Sequence, residues 1–542
     1  MMTTQPILLR DTWTDTAASD TFQAHNPATG QALNDRYPVS DMSTLRQLAQ
    51  AAAEAARELE NRPPEQIAGF LRTYADNIDT HREAIAQIAH TETALDHHPR
   101  LVNTEMDRTI DQLRQAADAV ENRSWVCASI EPDLDLRSQY EPLGGGVLVM
   151  GPSNFPLAYN GIAGGDFAAA IAAGNPVIAK GHTLHPGTTR LLAEQALAAS
   201  KTAGLPEGSV QMFYHCKPED GLELIRMPEI VGVGFTGSRK AGLSLKKAAD
   251  ETGTPIYLEL SSINPIFILP GACESRGEKI AGSIAESMLA ASGQQCTSPG
   301  LLILPAGAAA DGFINTLSTA LTETEPKVML SADGAEHLDE SVRTVRDAGA
   351  KLLIGGKRVH PDARFEHTLL SIDAGDFLKK PEAFQREMFG TAALIVLCER
   401  SDQFDSIIET LEGNLTGSVY SQPEGEDAEP AQRLARLLRR RVGRLLHNEV
   451  PTGVSVRPSM VHGGPFPATG HPGFTAVGIP TAIHRFAARR CYDRADRRWL
   501  PEGLRDANPT GRMLRRIGGI WTTDDVGKAS PKADQRSVSS SR

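Results

Sequence analysis

From Gly144 to about residue 447, short apolar runs alternate with Ala-rich helical stretches, and few folds accommodate that rhythm. Residues 147–150 are continuously apolar, as a strand buried on both faces must be. A loop, Pro152-Ser-Asn-Phe-Pro156, leads into a predicted helix over 162–173, a strand over 176–180 and a helix over 188–204. Strands over 210–214 and 230–235 continue the pattern. Past Glu259 a second block repeats it, with strands at 265–269, 300–304, 351–354 and 391–397 and helices at 277–291 and 312–322. Strands separated by helices of this length pair in parallel through crossovers, so the fold class is α/β with helices on both sheet faces. At 542 residues the chain exceeds what one hydrophobic core organises, and two or more domains are expected.

The flanks are less patterned. Residues 1–20 are polar, Asn26-Pro-Ala-Thr-Gly30 is a turn signal, and helices are expected over 41–59, 64–95 and 100–120. In the first of these, Leu45, Leu48, Ala52 and Ala55 share one face. The acidic stretch 424–429 reads as a solvated loop and 433–444 as an Arg-rich helix running into a strand. The Ser/Lys-rich tail over 522–542 is expected to be disordered.

Composition excludes several function classes. Acidic residues number 67 against 55 basic ones, a net charge of −12, so no nucleic-acid partner is expected despite Arg439-Arg-Arg441. No apolar run approaches the roughly 18 residues of a membrane span, and the N-terminus lacks the charged and apolar regions of a signal peptide. A cytoplasmic protein with no membrane association is expected. The six cysteines show no C-x-x-C and no short pairing, which reads as free thiols in a reducing compartment, without a disulfide framework or a metal site.

Ser292-Gly-Gln-Gln-Cys-Thr-Ser-Pro-Gly300 sets Cys296 in a small polar loop between a helix and a strand. Alone, such a cysteine is ordinarily a buried small apolar residue. A reactive thiol needs a base, oxyanion donors and, for oxidation, an electron acceptor. Gly232-Val-Gly-Phe-Thr-Gly237 matches G-x-G-x-x-G, and Glu259, 22 residues past Gly237, stands where a ribose-binding acid would. Yet the motif falls at the fourth strand of its block, and Glu259 ends a strand in Tyr257-Leu-Glu-Leu-Ser261, so the carboxylate equally reads as a general base.

Taken in order, Ser153-Asn-Phe-Pro156, Lys180, Gly234-Phe-Thr-Gly-Ser238, Leu258-Glu-Leu260, Gly293-Gln-Gln-Cys296 and Glu387-Met-Phe-Gly390 resemble the aldehyde dehydrogenase superfamily, over residues 21–521. Ser261-Ser-Ile-Asn-Pro265, His182-Thr-Leu-His-Pro-Gly-Thr188, Pro451-Thr-Gly-Val454, Met460-Val-His-Gly-Gly-Pro-Phe-Pro-Ala-Thr469 and Leu504-Arg-Asp-Ala-Asn-Pro509 narrow it. They are similar to the branch of 2-oxoglutarate semialdehyde (2,5-dioxopentanoate) dehydrogenases and NADP-dependent fatty aldehyde dehydrogenases. The resemblance implies a Rossmann-like cofactor domain over 21–124 and 147–260, an α/β catalytic domain over 261–446 and a return segment over 447–473. It also implies a small bridging β element over 125–146 and 474–521, through which a homodimer or higher homo-oligomer forms.

The same resemblance assigns roles. Cys296 attacks the aldehyde, Asn154 and the Cys296 amide stabilise the oxyanion, and Glu259 activates the water that hydrolyses the thioester. Lys180 would meet the adenosine ribose, Gly234, Gly237 and Ser238 the pyrophosphate, and Glu387 the nicotinamide ribose, with Phe389 beside it. Where NAD-preferring relatives often carry a glutamate, Thr183 stands; its neutral hydroxyl spares a 2′-phosphate from repulsion, and Lys217 can approach that phosphate. NADP is therefore the expected cofactor, with NAD second. The expected substrate is a small aldehyde, 2,5-dioxopentanoate, oxidised to 2-oxoglutarate. Arg100 and Arg108 are its candidate carboxylate ligands, while Gln295 and Ser298 flank the nucleophile where the branch commonly differs. A fatty aldehyde is the alternative within the class. Outside it stand a non-catalytic binding or structural protein, opposed by the joint presence of Cys296, Glu259 and Asn154, and a coenzyme A-acylating dehydrogenase, opposed by Glu259.

Overall fold

The computed structural model describes residues 4–16, 20–359 and 363–528. Two seven-stranded sheets carry the architecture. The first runs, in spatial order, Ile256–Glu259, Ile230–Thr236, Gly146–Met150, Val177–Lys180, Val210–Phe213, Ile7–Leu9 and Thr12–Thr14. Its first five strands are parallel, so their C-terminal ends, and the loops that follow them, gather along one edge. The second runs Lys351–Ile354, Thr368–Asp373, Ala392–Cys398, Leu301–Pro305, Ile266–Ile268, Asn414–Tyr420 and Val442–His447, parallel throughout except for the antiparallel first strand. Helices cover both sheets, and the interior strands are accordingly apolar without alternation; Asn414–Tyr420 is buried at every position.

The expected strands reappear with ends shifted by a residue or so. The first helix is Met42–Leu59, capped by Asp41 Oδ1 accepting from Thr44 N at 2.8 Å, with Leu45, Leu48, Ala52 and Ala55 buried as the pattern requires. Residues 64–95 form two helices, Pro64–Thr80 and Arg82–Thr93, that meet at His81. The helix expected over 100–120 is Met106–Asn122, preceded by a wide helical turn over His97–Glu105.

Three expectations are corrected. The first sheet begins at Ile7, not after residue 21: Leu8 pairs with Met212, and Ile7 and Leu8 are fully buried. The acidic stretch 424–429 is not simply solvated. Asp427 is buried and accepts from Gly271 N at 3.0 Å and Ala272 N at 2.8 Å, capping the helix Pro270–Leu289 from another part of the chain. Order also runs past residue 522, because Arg515 Nη2 donates to the Asp524 carbonyl at 2.8 Å and the Asp525 carboxylate accepts from Asn508 N, also at 2.8 Å. The rest of the expected tail, 529–542, lies outside the described residues.

A separate five-stranded sheet, ordered Ala487–Asp493, Leu136–Pro142, Ser129–Glu131, Arg515–Ile517 and Ile520–Thr522, has its own small core around Ile130, Leu504 and Met513. The segment from residue 447 onward returns to the first sheet. Leu260 N donates to Ala468 O at 2.8 Å, and Glu259 and Thr469 form an antiparallel bridge. This return brings three distant parts of the chain together over the end of Ile256–Glu259.

Candidate active site

Cys296 Sγ lies 3.4 Å from His462 Nε2, and the same nitrogen lies 2.9 Å from Glu259 Oε1. Cys296 is half-buried, while His462 and Glu259 are buried. One proton on Nε2 can be shared with only one neighbour at a time, so the thiol and the carboxylate compete for the imidazole. Burial foremost, and then the Glu259 carboxylate, pushes the Cys296 thiol well above its ordinary value; Arg108 pulls it down. A thiol in that setting needs a local proton acceptor, and the imidazole is in contact with it. The sequence alone assigns His462 no role. Its signal lay in the Met460–Thr469 motif, but only the fold joins that motif to Cys296, 166 positions away.

The loop that carries Cys296 is fixed from several sides. Ala291, Ser292 and Gly293 all have left-handed backbones, with φ of 51°, 55° and 70°. A Cβ on Gly293 would come within 2.2 Å of the Gly390 carbonyl carbon, so the loop seats directly on the segment that carries Glu387. Asn264 Nδ2 donates to the carbonyls of Cys296 and Ser298, each at 2.9 Å. Asn154, buried in the loop after Gly146–Met150, donates its Nδ2 to Gln294 O at 2.9 Å. Asn154 therefore presents an amide two residues from the cysteine. On the far side, His462 N donates to Thr475 Oγ1 at 3.0 Å.

The dinucleotide expectation can be tested on the strand-end edge. Lys180 ends Val177–Lys180, half-buried, and burial lowers its ammonium below the usual lysine value. Thr183 follows it in the next loop, and Lys217 is exposed at the start of the helix Pro218–Arg226, beyond the neighbouring strand Val210–Phe213. Ser238 caps the helix Arg239–Thr252, its Oγ accepting from Ala241 N at 3.3 Å, and that helix N-terminus faces the same edge. The glycine motif needs correcting here. Gly232 and Gly234 lie within the strand Ile230–Thr236, and a Cβ on Gly234 would meet Asp166 Oδ2 at 2.6 Å, so its bareness serves packing. Gly237 N already donates to the Glu259 carbonyl at 3.0 Å and has no amide left for a phosphate.

Glu387 is the strongest sign of fit. Among the described residues its carboxylate receives only a long 3.5 Å approach from Ser262 N and a Ser261 contact, which leaves lone pairs open for ribose hydroxyls. Burial lifts it to about 7, partly offset by those serines. Two small adjoining clefts share Glu387 and Ser262 in their walls. Phe389 lines the second cleft, together with Gln295 and Ser298, so those two residues face the Glu387 side of the nucleophile. The residues present thus fit a nicotinamide dinucleotide, which Lys180, Ser238 and Glu387 would hold.

Cations collect beside the thiol. Arg108 Nη2 donates to Tyr159 Oη at 2.7 Å and stacks 4.9 Å from that ring's centre. Arg100 lies 4.2 Å over Phe155 but is paired with the buried Glu105 at 3.2 Å, so its charge is largely spent. Arg108 has no carboxylate partner among the described residues. A third cation, Arg444, donates to the carbonyls of Gly453 and Pro451; burial lowers its pKa, while Cys296 and Tyr159 are the anionic forms that raise it.

Comparison with known proteins agrees with this geometry. The family model described as "Aldehyde dehydrogenase family" matches residues 13–470. An alpha-ketoglutaric semialdehyde dehydrogenase 2 from Azospirillum brasilense is 37% identical over 505 residues, covering 91% of this chain and 95% of that protein. An alpha-ketoglutaric semialdehyde dehydrogenase from Acinetobacter baylyi is 32% identical, covering 93% and 97%. Among solved structures, the NADP-dependent glyceraldehyde-3-phosphate dehydrogenase of Bacillus halodurans complexed with NADP superposes with a TM-score of 0.76 at 22% identity, covering 91% and 99%.

Proposed function

The chain belongs to the aldehyde dehydrogenase family, and on that premise we propose that it oxidises a dicarboxylic semialdehyde, 2,5-dioxopentanoate first, to 2-oxoglutarate with NADP preferred over NAD. The reaction class is NAD(P)-dependent oxidation of an aldehyde through a catalytic cysteine, on a Rossmann-like cofactor domain and an α/β catalytic domain. The observation that carries the substrate proposal is Arg108, a half-buried cation without a carboxylate partner among the described residues, close enough to influence the Cys296 thiol. Two relatives named for the alpha-ketoglutaric semialdehyde support the same choice.

In this reading His462 takes the Cys296 proton and the thiolate attacks the aldehyde carbon. Asn154 and the Cys296 amide hold the oxyanion of the thiohemiacetal. The dinucleotide, when bound, accepts the hydride. Glu259, freed from His462, then takes a proton from the water that hydrolyses the thioester, releasing the acid and the thiol. Arg108, with Arg444 beyond it, holds the distal carboxylate. Thr183, in the loop after Val177–Lys180, and Lys217, at the start of the helix Pro218–Arg226, support the NADP preference. A cytoplasmic setting belongs to this reading, since all six cysteines are unpaired. Among the described residues no helix is long and apolar enough to cross a membrane.

A panel of short dicarboxylic, short neutral and fatty aldehydes, run with both cofactors, tests it. Cys296→Ala is expected to abolish activity. Arg108→Leu is expected to raise KM for the semialdehyde by about 10- to 100-fold, the worth of one charged hydrogen bond, with little change for a fatty aldehyde. A wild-type preference for fatty aldehydes or for NAD overturns the corresponding half of the proposal.

A further inference from the structure

Cys296, His462 and Glu259 offer a sulfur, a nitrogen and an oxygen, all within 4.8 Å of one another. We propose that these three side chains form a binding site for a borderline divalent cation, Zn2+ first, whose capture reversibly silences the enzyme; the silencing, though not the binding, rests on the function proposed above.

Thiolate, imidazole and carboxylate are each established zinc donors, and three protein ligands with one open position are the usual makeup of a non-structural zinc site. Tetrahedral coordination at ordinary zinc bond lengths places donor atoms about 3.3–3.6 Å apart. The Sγ–Nε2 separation of 3.4 Å already matches, and the Nε2–Oε1 separation of 2.9 Å needs to open by a few tenths of an ångström. Glu259 also has the spare capacity that coordination requires. It is 1% exposed, and its Oε2 is buried without a hydrogen-bond partner among the described residues.

The donors are held independently of one another. Glu259 ends a strand bridged to Thr469, the Cys296 carbonyl is clamped by Asn264, and the His462 backbone is tied to Thr475. Because the fold supplies this rigidity, no zinc-like spacing is needed in the sequence. Binding forms an S–Zn bond and breaks the S–H bond, and the thiol proton passes to solvent; no electrons move. The thiolate is then committed to the metal and cannot attack an aldehyde. A soft ligand in the set discriminates against Mg2+ and Ca2+, which prefer all-oxygen sites.

The site is distinguishable from a second cluster, Glu83, His97 and His98, which is more exposed and contains no sulfur. Cobalt titrated into the full-length protein is the probe. One Co2+ per chain with thiolate-to-cobalt charge-transfer absorption is expected, the band vanishing in Cys296→Ser. His462→Gln and Glu259→Gln are expected to weaken cobalt binding by about 100-fold each, and circular dichroism checks that each variant folds. Zn2+, but not Mg2+, is expected to stop aldehyde oxidation, with recovery on chelation. Cobalt binding without the sulfur band, or no binding, in a chain that oxidises aldehydes overturns the metal site and leaves the function standing. A sulfur band in a wild-type chain that oxidises no aldehyde overturns the function and leaves the site standing.

Discussion

His462 holds one nitrogen between two groups that act at different stages, and kinetics can separate the stages. Loss of its base should slow formation of the first NADPH, whereas loss of Glu259 should slow only the release of acid that follows. In stopped-flow work, Glu259→Gln is expected to retain a burst of NADPH and lose steady-state turnover. His462→Gln is expected to lose the burst and to drop kcat/KM by about 10²- to 10⁴-fold, the range of a positioned acid–base group. An intact burst in His462→Gln would remove the imidazole from the first step. Glu387 makes a second residue-scale prediction. Burial raises its carboxyl to about 7, so it is an acceptor for ribose hydroxyls above that pH and a protonated, poorer one below. KM for the dinucleotide should therefore rise as pH falls from about 8 to about 6, and Glu387→Gln should flatten that dependence. A pH-independent KM in the wild type would refute the contact. Cys296, Glu259, Asn154 and Glu387 can be nominated from the sequence because their short motifs occur together in order, although none is distinctive alone. His462 cannot, because its meaning depends on a 3.4 Å contact that no local pattern encodes. Gly234 was misread because a packing glycine within a strand spells the same letter as a phosphate-loop glycine.

At the scale of elements, buried carboxylates tie helix N-termini to distant chain. Glu92, in the helix Arg82–Thr93, accepts from Gly187 N at 2.8 Å, Thr188 N at 2.9 Å and Thr188 Oγ1 at 2.7 Å. It thereby caps the helix Pro186–Ala203, whose preceding loop carries Thr183 and follows the strand that ends at Lys180. Glu92→Leu strands those buried donors and is expected to cost about 3 kcal/mol in urea unfolding, with a higher KM for the dinucleotide. Equal stability would mean that solvent reaches the amides. The strand–helix rhythm was readable because both sheets are apolar on two faces, so periodicity and burial agree. The two strands that finish the first sheet, Ile7–Leu9 and Thr12–Thr14, were not, being three residues each and polar in the second case. Asp427 was mistaken for a solvated charge because a cap supplied across 156 positions leaves no local mark.

On the scale of the whole molecule, the five-stranded sheet is the part least explained by a single chain. Its outermost strands, Ala487–Asp493 and Ile520–Thr522, each have one unpaired edge. Of the eleven exposed large apolar side chains among the described residues, five lie in this element: Leu134, Trp499, Leu514, Ile520 and Trp521. Such a concentration on one small module is what an interface leaves exposed in an isolated chain, and we propose a second copy of the chain as its occupant, because a twofold contact presents the same patch twice. Ile520 and Trp521 are 43% and 51% exposed, so charges there leave the monomer's core intact. Burying such side chains contributes about 2 kcal/mol apiece, and a twofold interface counts each of them twice. The double substitution Ile520→Lys with Trp521→Glu is therefore expected to move the protein from dimer or higher oligomer to monomer in sedimentation velocity, with the thermal unfolding of the chain's own domains preserved. An unchanged assembly would place the interface elsewhere, and a wild-type monomer would leave the exposed tryptophans to a different partner.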